Sequence, residues 1–428
     1  MNPKAAARAI FDAALASADP RDAVARHLRG VQEPYRRIWL VGAGKAAAAM
    51  ASAAEAVWGD RLYGGAINTK YGHGETLRRV ATTECGHPVP DQAGVAGARR
   101  IQAICSQASQ GDVVLCLISG GASALLPLPA PPLTLEDKQA TTQLLLACGA
   151  PIQDINAVRK HLSAIKGGQL ARSAAPAAVL SLILSDVIGD DLAVIGSGPT
   201  APDPSTYADA RQVLDKFGLT GRVPTAVARH LNATQPETPK PGDPLFENVR
   251  NVVVGSNRQA LDAAAQRASQ LGYRPVLISD AIEGEAREVA TAHAAQALQT
   301  SGRVCLIAGG EPTVTLRGAG KGGRNQEFAL AAAVALAGTH HIVALSAGTD
   351  GTDGPTDAAG ALVDGATVAR AAALGLSAAA HLDAHDAYPF FATLGDLIQT
   401  GPTGTNVMDI QLFLIDADLQ NVHGARRQ

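Results

Sequence analysis

Three stretches late in the chain concentrate residues that handle anions: Ala308-Gly-Gly-Glu311, Gly320-Lys-Gly-Gly-Arg-Asn-Gln-Glu327 and Ser346-Ala-Gly-Thr-Asp-Gly-Thr-Asp-Gly-Pro-Thr-Asp357. Glycine lets a backbone approach phosphate oxygens and offer them N–H groups. A basic residue opening a helix adds charge where the helix dipole is already positive. Arg324, after Gly322 and Gly323 and before a helical run, is suited to stabilising charge on a transferring phosphoryl group. Gly309, Gly310, Glu311 and Lys321 read as nucleotide-binding positions. Glu311, Asp350, Asp353 and Asp357 have the chemistry of hard-cation ligands, and capping of glycine turns accounts for such aspartates equally well.

Four earlier stretches have related chemistry. Trp39-Leu-Val-Gly-Ala-Gly-Lys45 reads as a strand, a tight turn at Gly44 and a helix with Lys45 in its first turn. It lacks the spacing and the Ser/Thr of a P-loop. The next strand ends in Asn68-Thr-Lys70, without the acid that holds a cofactor ribose. A structural turn stays open, but a cation facing a helix N-terminus is better explained by an anion in front of it. Ser119-Gly-Gly-Ala-Ser123 repeats the pattern, so Ser119, Gly120, Gly121 and Ser123 can bind phosphate or simply cap a helix. In Asn156-Ala-Val-Arg-Lys-His-Leu-Ser-Ala-Ile-Lys166, helical spacing places Arg159, Ser163 and Lys166 on one face; it suits a small carboxylate, with a solvated last turn as the alternative. Asp186 and Asp190 follow a strand, where α/β sheets bind ligands, and can serve as a general base or as Mg²⁺ ligands. Thr134 to Asp137 has capping-box spacing. His73, His87 and His161 form no paired pattern, and no GxSxG elbow occurs.

These residues need a scaffold, and 428 residues predict two domains, 1–240 and 241–428, separated at the Pro-rich connector that starts at Thr234. The default site is the cleft between them. The first helical stretch is free to pack on the second domain. Short apolar runs ending in glycine loops alternate with Ala/Leu-rich helical stretches, the pattern of layered α/β folds with mostly parallel sheets. Strands are expected at 38–41, 65–68, 113–118, 179–184, 252–254, 275–278, 304–308, 313–316, 341–345 and 410–414.

A net charge of -3 with 18% charged residues gives no sign of nucleic-acid binding. Five widely spaced cysteines without a CxxC pair speak against disulfides or zinc, and fit a reducing cytoplasm. The N-terminal stretch is broken by Arg8, Asp12 and Asp19, so it is not read as a signal peptide. The apolar run 328–338 is too short for a membrane span.

Together, Gly42-Ala-Gly-Lys45, Gly86-His-Pro-Val-Pro-Asp91, Ser119-Gly-Gly-Ala-Ser123, Arg159-Lys-His-Leu-Ser163, Ser185-Asp186, Ser197-Gly-Pro-Thr200, Gly320 to Glu327, Thr349 to Asp357 and Gly401-Pro-Thr-Gly-Thr-Asn406 resemble the class II glycerate kinases, whose C-terminal part is the MOFRL domain. The resemblance spans nearly the whole chain in order. It implies ATP-dependent phosphorylation of D-glycerate to 2-phosphoglycerate, between a Rossmann-like N-terminal domain and a smaller α/β C-terminal one. It implies Lys45 and Arg324 as the catalytic cations, with ATP and Mg²⁺ as cofactors and a monomer or dimer as the assembly. Ala122 stands where relatives carry a third glycine, and Met408 where they carry a polar residue. Arg159 with Ser163 is expected to hold the glycerate carboxylate, and Asp186 to act as base. Two rivals stay open: an NAD(P)H-dependent hydroxypyruvate reductase, and a non-catalytic nucleotide- or metabolite-binding regulator.

Overall fold

A computed structural model describes residues 1–233 and 236–417. The chain divides into two compact units, Pro20–Val254, and Met1–Asp19 with Gly255–Gln428.

The strands of the first unit are β1 (Ile38–Ala43), β2 (Leu62–Lys70), β3 (Val80–Cys85), β4 (Val113–Ile118), β5 (Ala178–Leu184) and β6 (Val249–Gly255), arranged β3-β2-β1-β4-β5-β6. That is the strand order of dinucleotide-binding folds, and β1 to β5 pair in parallel. Every residue of β1 and β4 is buried. Their unbroken apolar runs, without alternation, are what strands covered on both faces require. Side chains start the flanking helices. Asp91 accepts from Gly94 N at Gln92–Cys105, and a complete capping box of Thr134 and Asp137 opens Leu135–Ala147.

The second sheet holds β7 (Arg274–Ile282), β8 (Gly302–Gly310), β9 (Ile342–Gly348), β10 (Gly360–Asp364), β11 (Leu397–Ile398) and β12 (Asp409–Ala417), ordered β11-β10-β9-β12-β8-β7. Here the expectation of mostly parallel pairing fails. β7 and β8 are parallel, but β12 enters between β8 and β9 antiparallel to both, and β10 runs antiparallel to β9 and β11. The short connection from β9 to β10 permits only antiparallel pairing, since a parallel return needs a longer crossover. The helix Arg324–Ala335 buries Asn325 to Ala333, and Phe328 packs in the same core as Phe390, Phe391 and Phe413. The helix Pro3–Ser17 belongs to this unit and buries Ile10, Phe11 and Ala14.

Two sequence expectations need correction. Residues 313–316 form no strand: Thr313 makes one isolated bridge to Glu285, and Leu316 is 73% exposed. Their Thr-Val-Thr-Leu alternation has strand propensity but no neighbouring strand to pair with. The division between units falls after Val254, not after residue 240. The Pro-rich connector, of which Thr234 and Gln235 lie outside the described residues, is tied to its own unit. Asp203 N donates to Pro239 O at 2.8 Å, and Thr238 Oγ1 to Asp203 Oδ2 at 2.9 Å, before β6 adds the sixth strand.

Candidate active site

In the first sheet β1 lies between β2 and β4, so its order reverses at β1/β4 and the ligand crevice is expected at the carboxyl ends of these two strands. The two loops there are bolted together. Lys45 N donates to Gly120 O at 2.9 Å, Ala46 N to Ser119 Oγ at 3.0 Å, and Gly44 N to Asn68 O at 3.2 Å. Gly44 has φ 142°, and a Cβ there would stand 2.0 Å from Ser119 Oγ. The close approach explains the glycine. The amides of Gly44 to Ala46 are therefore spent within the protein, and the phosphate cradle read into this turn is not formed by them. The turn offers the Lys45 side chain instead, just before the helix Ala47–Trp58. Lys45 has no hydrogen-bond or ion-pair partner for that side chain among the described residues. His87 Nε2 and Lys45 Cγ lie 2.9 and 3.5 Å from the place of a Gly121 Cβ. Burial, then the charges of Lys45 and Lys70, push the His87 imidazole down to about 4, so it is neutral at pH 7.

A cavity of about 410 Å³ opens within the same unit. Its polar lining includes Ser123, Lys138, Asn156, Arg159, Lys166, Asp186 and Ser197; its apolar lining includes Pro90, Leu135, Leu146 and Val187. Cations dominate. Lys138 donates to Pro127 O at 3.0 Å and Leu128 O at 3.3 Å, and burial followed by the Arg159 charge brings its ammonium down to about 7. Burial also pushes the Arg159 pKa down, yet a guanidinium stays protonated. Among the described residues Arg159 has no side-chain partner. Burial raises the Asp186 carboxyl against the pull of Lys45. A cavity with a cationic floor and a few convergent polar groups is built for a small anion.

The helical face proposed for Arg159, Ser163 and Lys166 does not exist. The helix Ile152–His161 ends before Ser163, whose hydroxyl donates to Leu128 O at 3.1 Å and accepts from Ile165 N and Lys166 N. Arg159 and Lys166 meet in the cavity through the fold of the chain, and Ser163 is not part of its lining. Ser119 is likewise spent, buried under Ala46 N. Lys138 carries no signal in the sequence, since it lies in no glycine loop and repeats no spacing, and His87 stands there only as an isolated histidine.

In the second unit Arg324 is the first residue of its helix. It is gripped by Asp409 through Nε–Oδ2 at 2.6 Å and Nη2–Oδ1 at 3.0 Å, and by Glu311 through Nη1–Oε1 at 2.7 Å. This two-pronged grip holds the guanidinium charge above the usual range. Glu311 is thus engaged with a cation, and Gly309 packs where a Cβ would meet Asn257 Oδ1 at 2.0 Å. Lys321 Nζ lies 4.2 Å above the Tyr388 ring. Asp353 caps the Arg324 helix, accepting from Asn325 N at 3.0 Å and Gln326 N at 2.8 Å, and Asp350 accepts from Thr352 N in a turn. Asp190, at φ 53°, lies in a short 3₁₀ turn of the first unit. Among the described residues no three His, Cys, Asp or Glu side chains gather to hold a metal, so Asp190 and Asp350 form no cage. All five cysteines are free, and among the described residues no helix is long and apolar enough to cross a membrane.

Comparison with known proteins matches residues 6–232 to a domain of unknown function (DUF4147) and residues 304–409 to the MOFRL family. The chain is 46% identical over 417 residues to a putative hydroxypyruvate reductase of Agrobacterium vitis, covering 95% of this chain and 93% of that protein. It is 43% identical over 387 residues to the D-glycerate 2-kinase of Thermotoga maritima, covering 89% and 91%. The crystal structure of glycerate kinase from Thermotoga maritima superposes with a TM-score of 0.90 at 41% identity, covering 96% of this chain and 99% of that one. With two α/β units in this order and relatives matched along nearly their whole length, the chain belongs to the MOFRL-domain family of glycerate 2-kinases.

Proposed function

We propose that this chain transfers the γ-phosphoryl group of ATP to the 2-hydroxyl of D-glycerate, giving 2-phospho-D-glycerate and ADP. The observation that carries this reading is the cavity floor, where Lys138 and Arg159 lie close to the β1/β4 crevice and, among the described residues, have no carboxylate partner. Buried cations left unpaired cost folding energy, and an anionic substrate repays it. Arg159 holds the glycerate carboxylate, because its planar fork matches two oxygens. Lys45 and Arg324 neutralise the equatorial oxygens of the phosphoryl group, and positioning plus charge supply most of the rate. The backbone of the loop from Gly120 to Ser123 and the Lys321 side chain contact the nucleotide. Mg²⁺ enters with the nucleotide, whose phosphates supply most of its ligands.

The test is incubation with MgATP and D-glycerate, following ADP release and then adding enolase, which consumes 2-phosphoglycerate alone. Immediate enolase turnover supports the 2-kinase. ADP with turnover only after a mutase is added identifies a 3-kinase, and binding of both substrates without ADP identifies a regulator.

The name of the Agrobacterium relative keeps a reductase in view. Two features argue against it. β2 ends in Asn68-Thr-Lys70 with no carboxylate to hold a ribose, and Asn68 Nδ2 donates to Gly94 O and Leu125 O. The amides opening the first helix, where a cofactor pyrophosphate would sit, are bonded to the β4 loop. Loss of NADPH absorbance on adding hydroxypyruvate would favour the reductase.

A further inference from the structure

Four side chains of the cavity form a hydrogen-bonded line that none of the roles above uses. Lys166 Nζ lies 2.7 Å from the carbonyl oxygen of Ser123 and 3.0 Å from its Oγ. Ser123 Oγ lies 2.9 Å from Ser197 Oγ, and the Ser197 hydroxyl donates to Asn156 Oδ1 at 3.2 Å. All four residues line the cavity, and Lys166 is 2% exposed. The charged groups facing Lys166 are Lys138, Arg159 and Lys160, of which Lys160 pairs with Asp203; Asp186 lines the same cavity. Packing does not explain a lysine here. A methionine fills the same space without burying an ammonium among three cations. An amine in such surroundings is driven towards its neutral form, and burial with these neighbours holds Lys166 well below the usual lysine range. A neutral amine within reach of a serine hydroxyl is a base.

We propose that Ser123 and Lys166 together accept the proton of the attacking substrate hydroxyl, Ser123 touching the substrate and Lys166 acting through it. This rests on the kinase reading. The substrate proton passes to Ser123 Oγ while Ser123's own proton passes to Lys166 Nζ. The substrate oxygen bonds to the γ-phosphorus as the bond from that phosphorus to the β,γ-bridging oxygen breaks, and ADP leaves with the electron pair. The ammonium formed at Lys166 then returns its proton through Ser123 to water in the cavity. At rest the Ser197 hydroxyl is spent on Asn156, so Ser123 donates to Ser197 and accepts from Lys166, and the Ser123 hydroxyl turns to Lys166 Nζ for the transfer. Asp186, which lines the same cavity, is the rival acceptor.

The test is the pH dependence of kcat and KM for wild type, Ser123→Ala, Lys166→Met and Asp186→Asn, with ADP release and enolase turnover as readouts and thermal melts as a check of folding. Ser123→Ala and Lys166→Met are expected to lower kcat by about 10²-fold or more, to change both KM values by less than about threefold, and to abolish the acidic limb of the kcat profile. Asp186→Asn is expected to keep that limb. The pairing is overturned by Ser123→Ala with kcat within about threefold of wild type, by an acidic limb persisting in Lys166→Met, or by loss of the limb in Asp186→Asn alone. If Lys166→Met does not fold, Ser123→Ala decides. A wild-type chain that releases no ADP overturns the kinase reading instead, and is told apart because it fails before any substitution is made.

Discussion

The two units treat their functional cations in opposite ways. In the first, Arg159 and Lys45 lack side-chain partners among the described residues, and Lys138 and Lys166 are bonded to backbone and serine oxygens. In the second, Arg324 is clamped by Asp409 and Glu311. An unpaired cation keeps its full field for an incoming anion but strains the fold. A clamped arginine is already oriented, and its field is partly cancelled until a more negative group arrives. On the proposed reading, the first unit receives the small acid and the second supplies an oriented charge.

Removing either reactive cation has the largest expected effect. Lys45→Ala and Arg324→Ala should each lower kcat by about 10²–10³-fold, measured by ADP release, in the range seen for loss of one oxyanion donor. Full kcat in Lys45→Ala would remove it from the mechanism. Breaking the clamp comes next. Asp409→Asn should destabilise the protein by about 3 kcal/mol in denaturant unfolding, at the lower end for a buried pair because Arg324 keeps Glu311. Arg159→Met reverses that sign. Stability should hold or rise, while KM for D-glycerate rises about 10- to 100-fold, as for loss of a charged hydrogen-bonded pair. If Arg159→Met melted lower than wild type, the contrast between the units would be wrong.

The contrast also predicts a pH slope. The Lys138 pKa is lowered to about 7 in the fold and returns to the ordinary lysine value on unfolding. Below pH 7 both states hold the proton and the fold bears the full cost. As pH rises above 7 the folded state loses the proton first, so stability rises until the unfolded lysine also titrates. Unfolding midpoints from pH 6 to 10 should climb in wild type, and climb less in Lys138→Met.

The sequence shows the first unit better than the second for a physical reason. β1 and β4 announce themselves as unbroken apolar runs because parallel central strands are buried on both faces. β3, with Thr-Thr-Glu, and the two-residue β11 carry no such signal, and β10 hides behind an aspartate-rich turn. The cations legible in the sequence, Lys45 and Arg324, follow glycines, where local pattern and chemistry coincide. Lys138 sits in an ordinary-looking helix, and only the packing of that helix turns it towards the cavity. Ser163 failed for the converse reason. Its helical spacing from Arg159 was real in the sequence, but the helix stopped at His161.

The helix Pro3–Ser17 has a consequence for how the protein is made. It precedes the first unit in the chain but packs on the second, against the helix Asn257–Gln270 and strands β9 and β12, while Lys4 pairs with Asp364 and the Thr405 hydroxyl donates to Ala18 O. The second unit therefore cannot close until synthesis has passed residue 409, where β12 begins, and the helix with Ile10 and Phe11 has no partner at all until Asn257–Gln270 is made. Cutting the gene at the junction after Val254 would not yield two self-sufficient halves. The C-terminal half would lack its opening helix, and supplying that peptide in trans should restore its folding.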